Sequence, residues 1–389
     1  MMKWEYQRIG DVCTVERGGS PRPIDEYITK APDGINWIKI GDTTDSMYIT
    51  QTEQKIRPEG MKKSRFVHVG DFLLSNSMSF GRPYILAIDG CIHDGWLVLH
   101  DDENRFDKRF LYYFLSAPMT YQKFEHMAVG GVVNNLNSKM VRNLEVPVPS
   151  RAEQQDIADR LDCITEIISN RKRVLALLDE LVKSRFVEMF GDPIVNDQQF
   201  PVMQFSEIAS SRLGKMLDKK NQTGKCAFPY LANYNVQWFR FDLSSLHEMD
   251  FTEADRQEFE LRKGDLLVCE GGEVGRCAIW NNELEHCYFQ KALHRVRCDT
   301  SVILPEYMAY TFFLHSQYNG FEDAISGVST IAHLPGDRLK KLRVIVPPLP
   351  LQQKFAAFVH QVDAAKAAAR EEIAALETLR GKMMQEFFG

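Results

Sequence analysis

Positive charge gathers in two places along this chain. Lys55, Arg57, Lys62, Lys63 and Arg65 crowd one segment, and Arg212, Lys215, Lys219, Lys220 and Lys225 crowd another. Lysine and arginine in such groups supply a salt-sensitive attraction to phosphate. Polar side chains in segments broken by Gly and Pro could read base edges beside them. In the first half these are Ser20, Arg22, Asn76, Ser79 and Arg82; in the second, Arg212, Lys215, Glu270 and Arg276. The Gly130-Gly131 loop with Asn134 and Asn135 extends the set, as does its counterpart from Gly327 to His333 with Ser329 and Thr330. Arginine suits guanine, asparagine suits adenine, and glutamate accepts from cytosine. The formal net charge is −6, so any nucleic-acid face must be local rather than spread over the molecule.

Residue patterns for covalent chemistry are missing from the sequence. It has no Gly-x-Gly-x-x-Gly after a strand, no phosphate-binding loop ending in Gly-Lys-Ser/Thr, no Gly-x-Ser-x-Gly and no His-Glu-x-x-His. Gly271-Gly272-Glu273-Val274-Gly275 is followed by no lysine and reads as a tight turn between strands. Asp71 and Asp265 each follow a glycine and precede an apolar run, which is a turn signature before a catalytic one. The eight cysteines contain no Cys-x-x-Cys pair, so reduced thiols are expected and no metal site. The expectation is a non-catalytic chain that binds no cofactor.

What must position the candidate residues is written twice. Val69-Gly70-Asp71-Phe72-Leu73-Leu74 returns as Lys263-Gly264-Asp265-Leu266-Leu267-Val268, and Gly81-Arg82 returns as Gly275-Arg276 in the same register. Later the offset lengthens: Leu144-Glu145-Val146-Pro147 meets Leu342-Arg343-Val344-Ile345, Gln154-Gln155 meets Gln352-Gln353, and Phe190-Gly191 meets Phe388-Gly389. One register held across a strand, a proline corner and a helix is an internal duplication.

Each copy opens with a mixed segment of short strand-like runs, such as Trp37 to Ile40, Phe72 to Leu74, Tyr84 to Ile88 and Trp96 to Leu99. A short aromatic helix follows, Phe110 to Leu115 in one copy and Tyr307 to Phe313 in the other. Each copy closes with a long helix. Ser150 can cap the first while Glu153 reaches back. Pro350 suits the first helical position of the second, where its missing N–H costs nothing. The first helix carries Ile157, Leu161, Ile164, Ile168, Leu175, Leu178 and Val182, interrupted by Arg171. The second carries Phe355, Val359, Val362, Ala369, Ile373, Leu376 and Met383, interrupted by Lys366. A four-three stripe asks for one partner helix along its length, and two such stripes at equivalent places are expected to pair with each other. Gly191-Asp192-Pro193 ends the first helix and turns the chain.

At 389 residues the chain is too long for one ordinary domain. The expected division is a recognition domain at 1–149, a long helix at 150–191, a second domain at 192–349 and a second helix at 350–389. The fold class is α+β: two similar mixed domains joined by long helices in an antiparallel, pseudo-two-fold coiled coil. The sequence has no apolar run long enough for a membrane span and no apolar core near Met1, so a soluble cytoplasmic protein is expected.

The ordered set of marks resembles the specificity subunit of type I restriction–modification systems. It comprises Gly18-Gly19-Ser20-Pro21, the two Gly-Asp turns, Val146-Pro147-Val148-Pro149 before Gln154-Gln155, Val346-Pro347-Pro348 before Gln352-Gln353, and Phe190-Gly191-Asp192-Pro193. That resemblance implies two target-recognition domains, each reading half of a split double-stranded DNA site, with the helices setting the gap. It also implies two modification (methyltransferase) subunits docked on the helices and using S-adenosylmethionine. Restriction subunits needing ATP and Mg would join some complexes. Ser210 to Lys215 lacks the Gly-Ser-Pro form of the first domain, so different half-sites and an asymmetric target are expected. Two rivals stand beside this reading. One is a self-contained nuclease or methyltransferase; the other is a scaffold that bridges two protein subunits without touching DNA.

Overall fold

The two Gly-Asp turns that set the repeat register fold alike. Gly70 and Gly264 have φ of +89° and +90°, a region open to glycine at no steric cost. The next residue closes the turn: Asp71 Oδ2 accepts from the His68 N–H at 2.8 Å, and Asp265 Oδ2 from the Arg262 N–H at 2.9 Å. The other carboxylate oxygen meets a basic side chain on the adjacent strand, His100 Nδ1 at 3.1 Å in the first copy and Arg297 Nε at 2.6 Å in the second. Both aspartates are therefore structural, as their setting in the sequence suggests.

The computed structural model describes residues 4–76, 81–128, 136–217, 222–325 and 333–389. The chain forms two units, one of Met1–Lys172 with Glu371–Gly389 and one of Arg173–Arg370. The first holds a five-stranded sheet in the order Thr14–Arg17, Trp96–His100, Phe72–Ser75, Pro83–Leu86, Tyr48–Ile49. A second five-stranded sheet runs Ile28–Thr29, Gln54–Ile56, Ile35–Ile38, Gly90–Ile92, Arg65–Val67. The expected strand from Trp37 stops at Ile38, because the Asp42 carboxylate takes the Lys39 N–H at 2.7 Å and folds Ile40–Asp42 into a 3-10 turn. The other unit repeats the scheme with a four-stranded antiparallel sheet, Ala209–Leu213, Leu293–Cys298, Leu266–Cys269, Cys277–Ile279, and a three-stranded one, His247–Asp250, Ala227–Leu231, Tyr288–Phe289. The aromatic helices run Lys108–Ser116 and Pro305–Gln317.

The long helices, Arg151–Phe190 and Leu349–Phe388, each have 40 residues. Ser150 and Glu153 form the reciprocal cap, with Glu153 Oε2 3.0 Å from the Ser150 nitrogen and Ser150 Oγ 3.3 Å from the Glu153 nitrogen. Pro350 is the second residue of its helix rather than the first, since the helix already begins at Leu349, where a proline at the next position still costs no intrahelical bond. Within the first unit Lys172 pairs with Glu377 at 2.8 Å and Arg171 with Glu372 at 2.9 Å. Within the second, Lys366 pairs with Asp179 at 2.6 Å, and the Phe186 and Phe355 rings lie 5.4 Å apart. In the second unit rising numbers on one helix meet falling numbers on the other, Asp179 with Lys366 and Phe186 with Phe355, so the helices run antiparallel there.

Their stripes do more than face each other. Ile157 and Leu161 enter the first unit's core with Phe110, Phe114, Phe387 and Phe388. Val182, Phe186, Phe355, Val359 and Val362 enter the second unit's core beside Tyr307 and Phe312. Ile164, Ile168 and Ile373 are also buried, whereas Leu175, Leu178, Leu376 and Met383 are half-buried. The two interrupting cations behave differently: Arg171 stays exposed, while Lys366 is buried with its ammonium on Asp179.

One side chain ties each globule to its helix. Buried Gln154 accepts the Asp107 N–H at 2.7 Å and donates to the Arg105 and Pro149 carbonyls at 3.1 and 3.0 Å. Buried Gln352 repeats this on the Leu304 N–H at 2.9 Å and the Val302 and Pro347 carbonyls at 3.0 and 2.8 Å. Replacing either by Ala orphans a buried donor and two acceptors, at about 1–3 kcal/mol for each group left unpaired. We expect Gln352→Ala to destabilise the chain on that scale and to raise amide exchange at Leu304; unchanged exchange there would contradict the assignment. The hydrogen bond that Asp71 accepts from the imidazole is the main cause holding His100 above its ordinary value of 6.5. A raised cationic group stabilises below its unfolded value and loses that contribution as pH climbs through the folded value. His100→Gln should therefore cost stability at pH 6 and progressively less toward pH 9, measured by denaturant unfolding; a pH-independent difference would contradict it.

Candidate nucleic-acid interface

The Gly18-Gly19 turn brings the first unit's candidates together. A Cβ on Gly18 would lie 2.1 Å from the His93 carbonyl oxygen, so only glycine permits the approach. The Gly18 and Gly19 N–H groups bond the Trp96 and Ile92 carbonyls at 2.9 and 3.2 Å. The chain beyond then meets Asp94. Ser20 Oγ donates to its Oδ1 at 2.9 Å, Arg22 Nη2 lies 3.3 Å from its Oδ2, and Asn76 Nδ2 donates to its backbone oxygen at 2.9 Å. Arg17 Nε reaches the same backbone oxygen at 3.1 Å. Partial burial pushes the Asp94 carboxyl up. The Ser20 hydroxyl, a backbone N–H, His93 and Arg22 outweigh it and hold the group below the usual carboxylate range.

The basic segment abuts this turn. A Cβ on Gly19 would sit 3.3 Å from the Lys63 carbonyl oxygen, and Ser64 Oγ donates to the Ile92 carbonyl at 3.0 Å. Lys62 is exposed, Lys63 Nζ donates to the Tyr27 hydroxyl at 2.7 Å, and Arg65 pairs with Glu16 at 3.0 Å. Ser20, Arg22 and Asn76 thus meet at Asp94, and the Lys63 backbone lies against the same turn, whereas Arg65 is turned to Glu16 and Lys63 Nζ to Tyr27. The Arg22 side chain is 81% exposed, and an exposed ion pair of this kind contributes about 0–1 kcal/mol. It can release Asp94 for a stronger acceptor. Arg82 is exposed elsewhere, after left-handed Gly81, on a cleft of about 650 Å³ with Tyr84, Tyr112 and Tyr121.

In the second unit Gly214 takes the place of Gly18. Its Cβ would lie 2.3 Å from the Gln290 carbonyl oxygen, and its N–H bonds the Leu293 carbonyl at 3.0 Å. The missing Gly-Ser-Pro sequence therefore hides a shared backbone turn. Its side chains differ. Lys215 Nζ is held by Asp255 Oδ2 at 2.6 Å and the Asp250 carbonyl at 2.7 Å. Arg212 is half-exposed, pairs with Glu258 and lies over the Phe259 ring at 5.8 Å.

Glu270, Arg276 and His333 form a separate group. Gly271 bridges His333, and the Leu334 N–H bonds the Glu270 carbonyl at 2.7 Å. Asn233 is its hub: its Nδ2 donates to the Gly271 carbonyl at 2.8 Å, and Arg276 Nη2 reaches its backbone oxygen at 3.1 Å. Arg276 also pairs with Glu273 at 3.2 Å and is 16% exposed, unlike its repeat counterpart Arg82. His333 is exposed and Glu270 half-buried. The Gly271 to Gly275 segment is a turn between Leu266–Cys269 and Cys277–Ile279, as its glycines suggest.

Ser79, Asn134, Asn135, Lys219, Lys220, Ser329 and Thr330 lie outside the described residues. The sequence reading missed both hubs, Asp94 and Asn233. Neither stands in a motif, and only pairing across distant strands brings their partners near. Among the described residues no group of three or more His, Cys, Asp or Glu could hold a metal ion. Burial pushes the Cys269 thiol to about 11 and Cys287 to about 12, far from a reactive thiolate. No described helix is long and apolar enough to cross a membrane.

Comparison with known proteins gives this geometry its context. A putative type I restriction enzyme specificity subunit of Haemophilus influenzae is 22% identical over 77% of this chain and 76% of its own length. The MjaIX specificity subunit of Methanocaldococcus jannaschii is 22% identical over 98% and 91%. Two solved structures share the fold across 100% of this chain. One comes from work on complex assembly and conformational transition of the type I R-M system, with TM-score 0.65, 15% identity and 98% of that chain covered. The other is the S subunit of M. genitalium, with TM-score 0.56, 16% identity and 96% covered. Residues 1–179 and 198–378 both match the type I restriction modification DNA specificity domain, and on that double match the chain belongs to this family.

Proposed function

We propose that the chain is the DNA-recognition subunit of a type I restriction–modification complex, each unit reading one half of a bipartite site. The observation that carries the reading is one scaffold used twice with different loop chemistry. Gly18 and Gly214 make the same backbone approach, yet Ser20 and Arg22 accompany one and Lys215 with Asp255 the other. Two different surfaces on equivalent supports suit two different half-sites, hence an asymmetric target. Arg22, Lys62, Arg82, Arg212 and His333 expose polar heads that can reach bases or phosphates.

The first long helix supports a partner role as well. Ile167, Val174, Leu177, Leu181 and Val187 are exposed on it, apolar side chains outside either core. Exposed apolar side chains on one helix suit docking helices of other subunits. We assign this surface to the two modification subunits, which would bring S-adenosylmethionine. ATP and Mg would belong to any restriction subunit, and this chain would hold no cofactor and work in the cytoplasm.

The paired helices would set the gap between half-sites. A heptad adds about 10 Å of helix, close to three base pairs at about 3.4 Å each. Inserting one heptad into both helices should lengthen the preferred gap by about three base pairs with the half-sites unchanged, read by sequencing methylation-protected DNA. A gap that stays put contradicts the ruler. Arg82→Ala should relax one half-site only, by about 1–3 kcal/mol of discrimination if it contacts a base; equal loss in both halves contradicts local reading.

A further inference from the structure

The joint between each aromatic helix and its long helix carries opposite charge in the two units. The glutamine clamps fix the equivalence. Gln154 holds the Asp107 N–H and Gln352 the Leu304 N–H, so Arg109 and Glu306 occupy the same place, each second after the clamped residue. On the long helices Asp162 and His360 each follow the clamping glutamine by the same interval. In the first unit Arg109 Nη1 lies 2.6 Å from Asp162 and 2.8 Å from Asp159, and the Tyr113 hydroxyl donates to Asp162 at 2.6 Å. In the second, Glu306 Oε1 lies 3.0 Å from His360 Nε2, and Ala357 stands where the first helix has Asp159. Cation on the globule and acid on the helix become acid on the globule and base on the helix.

We propose that this position is a key that matches each recognition domain to its own long helix. The first domain seated on the second helix would exchange Asp162 and Asp159 for His360 and Ala357, leaving Arg109 only its own Asp107 and, one turn beyond His360, Asp363. The second domain seated on the first helix would set Glu306 against Asp162 and Asp159 together. Arg109 and Asp162 are each 30% exposed and Glu306 16%, while Asp159 and His360 are each 66% exposed, so the globule side of each joint is the better shielded from solvent. Like charges placed against one another are the usual means of refusing a wrong partner. The backbone turns, glutamine clamps and aromatic helices are common to both joints, and they would accept either domain. The charge at this joint discriminates where those shared parts do not.

The key is a positioning device, and its DNA consequence rests on the recognition reading above. It is tested in the full chain. Arg109→Glu and Glu306→Arg each create the mismatched encounter in native domain order. We expect each to lower Tm by about 3–6 °C. Transplanting the opposite unit's set, Arg109→Glu with Asp159→Ala and Asp162→His, should recover at least half of the loss. Glu306→Arg with His360→Asp should do the same. Single variants as stable as the parent, or double and triple variants no better than the singles, would overturn the key. With modification subunits present, Arg109→Glu should also lose protection at one half-site and Glu306→Arg at the other. Stability changes that follow the key with both half-sites unaffected would uphold the key and count against the recognition reading.

Discussion

A buried glutamine fixes each globule of this protein to a long helix. Gln154 and Gln352 each satisfy one amide donor and two carbonyl acceptors belonging to the segment before the aromatic helix and to the proline corner. Buried backbone groups of this kind must find partners, and an uncapped alternative is costly. A carboxylate could accept but not donate, and an ammonium could donate but not accept; the primary amide does both. The consequence is mechanical. A domain held at the start of its helix by the hydrogen bonds of a buried glutamine takes its orientation from that helix, so whatever fixes the helix fixes the reader.

On this shared frame the two halves have diverged wherever side chains, rather than backbone, decide. The Gly-Asp turn keeps its left-handed glycine and its aspartate, but its basic side chain is His100 in one unit and Arg297 in the other. The Gly18 approach is kept by Gly214 while the neighbouring residues change from Ser20 and Arg22 to a Lys215 bound within the fold. Arg82 stands exposed beside a cleft, whereas Arg276 is folded onto Asn233. A backbone fixed by glycine conformation and buried amides tolerates such exchanges on its surface. That tolerance is what a recognition scaffold requires.

Most of the frame was legible in the residues. Duplication, long helices, the Ser150–Glu153 cap, the aromatic helices and the Gly-Asp turns all depend on local spacing, and local spacing is what a sequence displays. The heptad stripe was legible as a stripe but not in full as to its partners: Ile157 and Phe355 serve globular cores as well as the helix pair, and period alone does not distinguish the two. Lys366 read as an interruption because its charge is visible and its burial against Asp179 is not. The candidate interface was legible only in part. Arg22 and Asn76 meet because two strands carry them to Asp94, a residue with no motif of its own. Long-range pairing determined that meeting, and nothing in the neighbouring residues announces it.

The central claim is that one chain reads two unlike DNA half-sequences held apart at a fixed interval. Methylome sequencing of cells expressing this chain with a type I modification subunit measures this directly. The account predicts a single modified motif of two different half-sequences separated by a constant number of unread bases. A contiguous motif, two identical halves, or a gap that varies from site to site would contradict it.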